Sequence, residues 1–291
     1  AMLNFVSGGL ITSAFLSGAR VEPGFPGPEG TTNDGLYTSG SWAVEGIYKF
    51  ERPSSSTQSL WRFQTTGSSP GLLANVTAVS GSGVVAYARP NTSSSSPILS
   101  MSVTGFNPMD GQLWNVCFGR TRGDALGQVS SSYFLRVGKQ SFGKITEEHT
   151  ASVVFDDNAG GKANNLWTNL TGSMNASGSL LAVGSASIPA NSVLLNNNSD
   201  AKVTSFDGKL AQLRFWSRDL STTEWREHVR NFRSLGVLNP KTGFNFVTNA
   251  SGSFGRLRLD ATMDQPVTRS LSDGSIVAFD FSQNNLHLSG V

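Results

Sequence analysis

The sequence predicts an all-β fold, an antiparallel sandwich carrying one short α-helix behind a late strand. Three observations carry this. Apolar runs with period-two alternation recur along the chain, parted by Gly, Ser, Asn and Pro clusters roughly every 8 to 15 residues, the punctuation of strands and turns. Charged residues are only 14% of the 291, and glycines number 32, a composition that suits many turns and few helices. One stretch breaks the pattern: S-T-T-E at 221–224, then Trp225, Val229 and Phe232 at helical spacing.

In chain order, 3–6, 10–11 and 14–16 are short apolar pieces broken by Gly and Ser, and read as edge strands and turns. The proline- and glycine-rich EPGFPGPEGTTNDG (22–35) must be a loop. SWAVEGIYKFER (41–52) is the cleanest strand, with Trp42, Val44, Gly46, Tyr48 and Phe50 on one face and Ala43, Glu45, Ile47 and Lys49 on the other. Further strands are expected at 59–64, 72–79, 84–90, 98–106, 113–120, 133–142, 150–156 and 180–189. FNFVT, RLRLDAT and the closing SIVAFDFSQNNLHLSGV also read as strands.

The stretch 206–236 joins a strand to the helix. Leu210, Leu213, Phe215 and Trp216 sit among polar residues in 209–216. Ser221 is then an N-cap hydroxyl and Glu224 its reciprocal carboxylate, together satisfying free backbone donors. Gly236 is the expected stop, and Trp216, Trp225, Val229 and Phe232 are assigned to fastening the helix onto the sandwich.

Cys117, the one cysteine, excludes a disulfide within the chain, and its apolar context LWNVCF reads as a buried thiol. A formal charge of +2 without basic runs argues against a nucleic-acid footprint. No apolar run approaches the ~18 residues of a membrane span. The opening AMLNFVSGGLITSAFLSGA has no basic n-region and is not read as a signal peptide. N-x-S/T sequons occur at Asn75, Asn91, Asn169, Asn175, Asn197 and Asn249, but about five arise by chance in a chain so rich in Asn, Ser and Thr.

The order of SWAVEGIYKF, LWNVCFGR, LLAVGS and FDGKLAQLRFWSRDLSTTEWRE resembles the laminin-G-like branch of the concanavalin A-like lectin/glucanase superfamily. The most specific part is Gly208, Leu210, Leu213, Arg214, Phe215, Trp216, Arg218, Leu220, Ser221 and Glu224, matching a G-x-hydrophobic-x-x-hydrophobic-R-hydrophobic-W strand that runs into R-x-L-S-x-x-E. The resemblance covers residues 15 to 235 and implies a jelly-roll of two curved antiparallel sheets. It places the sandwich in 1–250. Residues 251–291 either complete the same sandwich or begin a second module, since SIVAFDFSQNNLHLSG resembles the opening strand of such a module. Closure is favoured because a lone strand bearing Ile276, Phe279 and Phe281 would be an unpaired apolar edge.

Chemistry is sparse. Glycosidases on this fold resemble one another through an E-x-D-x-x-E strand, which is missing here. Glu147–Glu148 and Asp156–Asp157 are sequence neighbours whose side chains point to opposite faces of a strand, so neither pair flanks one bond, and both read as solvated charge. His149, His228 and His287 lack metal-ligand spacing, and His228 reads as a surface or packing residue. Arg218, Arg226, Arg230 and Arg233 read as a solvated helix face. The resemblance implies binding, sometimes with calcium, and Asp156, Asp157 and Asn158 are the oxygen ligands available, with Asp207 or loop carbonyls in support. Ordinary turn chemistry explains D-D-N equally well. For a glycan, Asp157, Asn158, Asn164, Asn165 and Trp167 combine hydrogen-bonding groups with an aromatic platform, although Trp167 reads equally as a buried anchor.

The leading expectation is a non-enzymatic recognition module that binds a glycan or a protein surface, for adhesion, within a larger extracellular or virion-surface protein. The alternative is a structural building block of a virus or phage capsid, tail or spike, assembling as a homo-oligomer. A glycoside hydrolase with unconventional residues comes third.

Overall fold

The computed structural model describes residues 2–5, 11–14, 41–50, 57–65, 72–90, 99–122, 130–156, 179–183, 206–216, 218–235, 257–263, 267–268, 276–282 and 288–290. They form two antiparallel sheets. The first runs β1 (Leu3–Phe5), β12 (Gly208–Trp216), β3 (Trp42–Phe50), β8 (Leu113–Arg122), β9 (Ser130–Ser141) and β10 (Lys144–Asp156), with β13 (Leu257–Thr262) also paired to β12. The second runs β14 (Val267–Thr268), β15 (Ile276–Ala278), β16 (Leu288–Gly290), β2 (Ile11–Ala14), β11 (Ser179–Val183), β4 (Thr57–Thr65), β5 (Leu72–Val79), β6 (Gly83–Pro90) and β7 (Leu99–Thr104). The chain leaves the first sheet after β3, builds the meander β4–β7, and returns as β8 beside β3. This is a jelly-roll sandwich, as the sequence predicts.

Pleat alternation fills the space between the sheets. From β3, Trp42, Val44, Tyr48 and Phe50 point inward with Trp61, Trp114, Phe118, Tyr133 and Leu210. Ring pairs lock the layer edge-to-face: Trp42 on Phe118 at 5.3 Å, and Tyr48 and Phe50 on Phe206 at 5.6 and 5.4 Å. Trp42, Trp114, Trp216 and Trp225 are all buried, as their apolar contexts require, and so is Cys117.

β12 is the hub. β3 holds one edge along its length, while β1 takes the other edge at Gly208–Leu210 and β13 takes it from Gln212 to Trp216. Strands from the far C-terminal part of the sequence pair into both sheets: β13 on β12, and β16 on β2. β2 therefore lies inside its sheet, between β16 and β11, and not at an edge as its short apolar run suggests in isolation.

Helix α1 (Thr222–Arg230) lies on the outer face of the first sheet. Ser221 Oγ accepts from Glu224 N, and the Glu224 carboxylate accepts from Ser221 N, closing the capping box. Trp225 and Val229 pack with Ala43, Cys117, Phe134, Trp216, Leu220 and Leu257 in a second apolar cluster. Gly138 permits the close approach, since a Cβ there would lie 3.1 Å from Trp225 Cη2. Two expectations need correction. The helix ends at Arg230, where the Asn231 cap turns extended, and does not reach Gly236. Phe232 consequently lies past the helix and is half exposed, so it is no part of the clasp.

Candidate functional site

Under the helix lies a buried charge network. Glu45 faces outward on β3, away from the aromatic core, and its carboxylate accepts from Trp216 Nε1 at 3.1 Å. It also lies 3.5 Å from Arg214 Nη1 and 2.9–3.0 Å from His228 Nδ1. Burial alone would raise the Glu45 carboxyl, but His228, Arg214 and Trp216 outweigh it and hold the group down at about 2. An ionised Glu45 needs donors, so His228 Nδ1 carries the proton in this bond. Arg214 spends its remaining donors on Asp260 and on the carbonyls of Phe232 and Ser234. No member is accessible, so the network holds the helix and the β12–β13 pair together. His228 is the packing residue its place in the sequence allows. Burial, with the Glu45 charge close by, also pushes the Cys117 thiol up and leaves it unreactive.

A second constellation is open to solvent. Lys139, on β9, bridges Asp110 and Glu147 at 2.8 Å each, with its ammonium 4.5 Å from the Trp114 ring centroid. Asp110 also accepts from Trp114 Nε1 and Gln112 N. His149 bonds Glu147 at 2.8 Å and stacks on Phe106 at 4.1 Å. Burial would raise Asp110, but Lys139 and the neighbouring donors hold it below its usual value; Lys139 and His149 do the same for Glu147. These carboxylates therefore stay ionised and accept hydrogen bonds. Glu147 and Glu148 do point to opposite faces, but each has a cationic partner, Lys139 or Arg226, and neither is merely solvated. Arg218 is likewise paired, to Glu224.

The same end of the sandwich carries the β9–β10 hairpin tip. Ser141 pairs with Lys144, leaving Phe142 and Gly143 as a two-residue turn with φ of +51° and +75°. Both positive angles mark a type I′ turn, whose twist matches that of the strands. Its first position favours Asn, Asp or Gly, because a Cβ is crowded there. The chain instead places a phenylalanine there, fully exposed at 102%. The strand expected at 133–142 therefore ends one residue earlier, at Ser141, and the turn carries no sequence signal because Phe-Gly is not the usual turn dipeptide.

The glycan candidates Asp157, Asn158, Asn164, Asn165 and Trp167 lie outside the described residues. Of the calcium candidates, Asp157 and Asn158 also do, while Asp156 ends β10 opposite Ser130. That is the far end of the ladder from the Ser141–Lys144 tip. Asp207 precedes Gly208, which pairs with Phe50 at the tip end of the sheet, so it cannot support Asp156. Among the described residues no three His, Cys, Asp or Glu side chains cluster as a metal site. The Asn75 sequon is unusable in the folded chain, since the side chain is buried and accepts from Ser59 Oγ. No described helix is long and apolar enough to cross a membrane.

No family model matches the sequence, and no curated protein does. Among solved structures, the chain is similar to the native heptameric SAP-like pentraxin of Limulus polyphemus, at 14% identity and a TM-score of 0.38 over 80% of this chain and 85% of that one. It is similar to tailspike protein 2 of Escherichia coli O157:H7 bacteriophage CAB120, at 11% and 0.42, over 79% of this chain but only 25% of the tailspike. It is also similar to the CBM40 of the Ruminococcus gnavus IT-sialidase, at 11% and 0.39, over 78% and 96%. These are likenesses between distant chains, and the fold assigned above rests on this chain's own two sheets.

Proposed function

We propose that the chain is a non-enzymatic recognition module that binds a glycan, within a larger extracellular or virion-surface protein, and that the β9–β10 tip is its contact. The observation that carries this is Phe142. A bulky residue in the left-handed region costs on the order of 1–3 kcal/mol, and a fully exposed ring recovers none of that in the free protein. Breaches of a local rule concentrate at functional sites. The ring offers an apolar platform, flanked by exposed Gln140, Ser141 and Lys144, with the half-exposed carboxylates of Asp110 and Glu147 nearby as fixed acceptors. An apolar face ringed by hydrogen-bonding groups fits a sugar, which presents C–H faces and hydroxyls together.

The laminin-G-like resemblance of 208–224 agrees with binding, and residues 251–291 are read as completing the sandwich. A calcium ion, if one is used, would need Asp156, Asp157, Asn158 and loop carbonyls. The test is a glycan array probed with wild type, Phe142→Ala and Trp167→Ala. Retention lost on Phe142→Ala alone supports the hairpin tip; loss on Trp167→Ala alone moves the site to the 156–167 loop. No retained glycan with wild type overturns the reading. In that case the structural building block takes its place, a reading favoured by the long edge of β10, which no described strand covers.

A further inference from the structure

We propose that β10 pairs with β10 of a second copy of this chain, joining two seven-stranded sheets across a two-fold axis. This concerns a different surface from Phe142 and does not rest on the glycan reading. β10 ends the first sheet, no described strand pairs with its outer edge, and at 13 residues it is the longest strand described. Free edges are ordinarily protected by outward charge, by proline or by a bulge. Here the one register shift lies between Ile145 and Glu147, beside the hairpin, and Lys144 is the only lysine in the strand.

The two glutamates of this edge are turned back into its own fold. Glu147 is held by Lys139 and His149, and Glu148 by Arg226. From Thr150 to Phe155 the strand is uncharged. Val153 and Val154 stand exposed at 36% and 71%, and as neighbours in a strand they project to its two faces. A strand added at this edge would cover both valines.

A second copy fits because an antiparallel edge is self-complementary under a two-fold axis, which makes the contact closed and isologous. Centred on Val153, the register sets Val153 opposite Val153, Ser152 opposite Val154, Ala151 opposite Phe155 and Thr150 opposite Asp156. No two carboxylates meet. Phe142 lies 11 residues from the centre, so at about 3.3 Å per residue the two tips would stand about 70 Å apart at opposite ends.

Sedimentation equilibrium at micromolar concentration, with hydrogen exchange on the same samples, tests the proposal. Wild type is expected to be dimeric, with β10 amides protected more strongly as concentration rises. Val154→Lys, at an exposed position that a monomer tolerates, should weaken the dimer by about tenfold or more without lowering the melting temperature of the monomer. Phe142→Ala should leave the association unchanged. A monomeric wild type, or a dimer that Val154→Lys does not weaken, overturns the proposal.

Discussion

Replacing Phe142 by asparagine should make the protein more stable. A non-glycine residue in the left-handed region costs on the order of 1–3 kcal/mol. Asparagine recovers part of that, because its short polar side chain bonds the local backbone there. Phe142 is fully exposed, so no packing is lost in exchange. The net gain is about 1 kcal/mol, read as a rise in Tm of roughly 2–4 °C for a chain of this size. Phe142→Ala keeps a Cβ at φ +51° and should gain nothing. Phe142→Gly relieves the strain but loosens the unfolded chain, so it should fall between the two. Calorimetric melting and urea midpoints of the four proteins give the order directly. An asparagine variant no more stable than the alanine variant would refute the claim of a strained turn.

Other expectations follow from the packing. The Glu45 carboxyl sits at about 2 in the fold against an ordinary 4.5. Its contribution is therefore present above about pH 4.5 and lost as pH falls through 2, on the order of 3 kcal/mol in all. In urea titrations between pH 7 and 2, Glu45→Gln should lack that part of the decline, and equal declines would contradict the network's role. Gly138→Val overpacks the contact with Trp225 and should cost about 1–3 kcal/mol in melting, with a shift in indole fluorescence. Removing residues 270–291 takes away β15 and with it β16, the strand paired to β2, and if these strands complete the sandwich Tm should fall sharply; an unchanged melting curve would point to a separate module.

Much of the fold was legible in the sequence because its signals are local. The alternation of β3 sorts Trp42, Val44, Tyr48 and Phe50 from Ala43 and Glu45 without any knowledge of neighbours. The capping box lies within four consecutive residues. The Glu45–His228 bond joins positions 183 residues apart, and no spacing rule announces it. The cluster of Asp110, Lys139 and Glu147 forms only when the β7–β8 crossover folds against the β9–β10 hairpin. The tip itself was hidden for the opposite reason. Turn chemistry is read from residues that suit a turn, and Phe142 does not suit one.

If the misfit Phe142 is a binding contact, removing its ring must weaken the bound glycan. Isothermal titration of wild type and Phe142→Asn with the glycan selected on the array tests it most directly, since the variant is expected to be folded and more stable than wild type. The variant's affinity should be lower by about tenfold or more, the equivalent of about 1.4 kcal/mol. Equal affinity in the two proteins would contradict it.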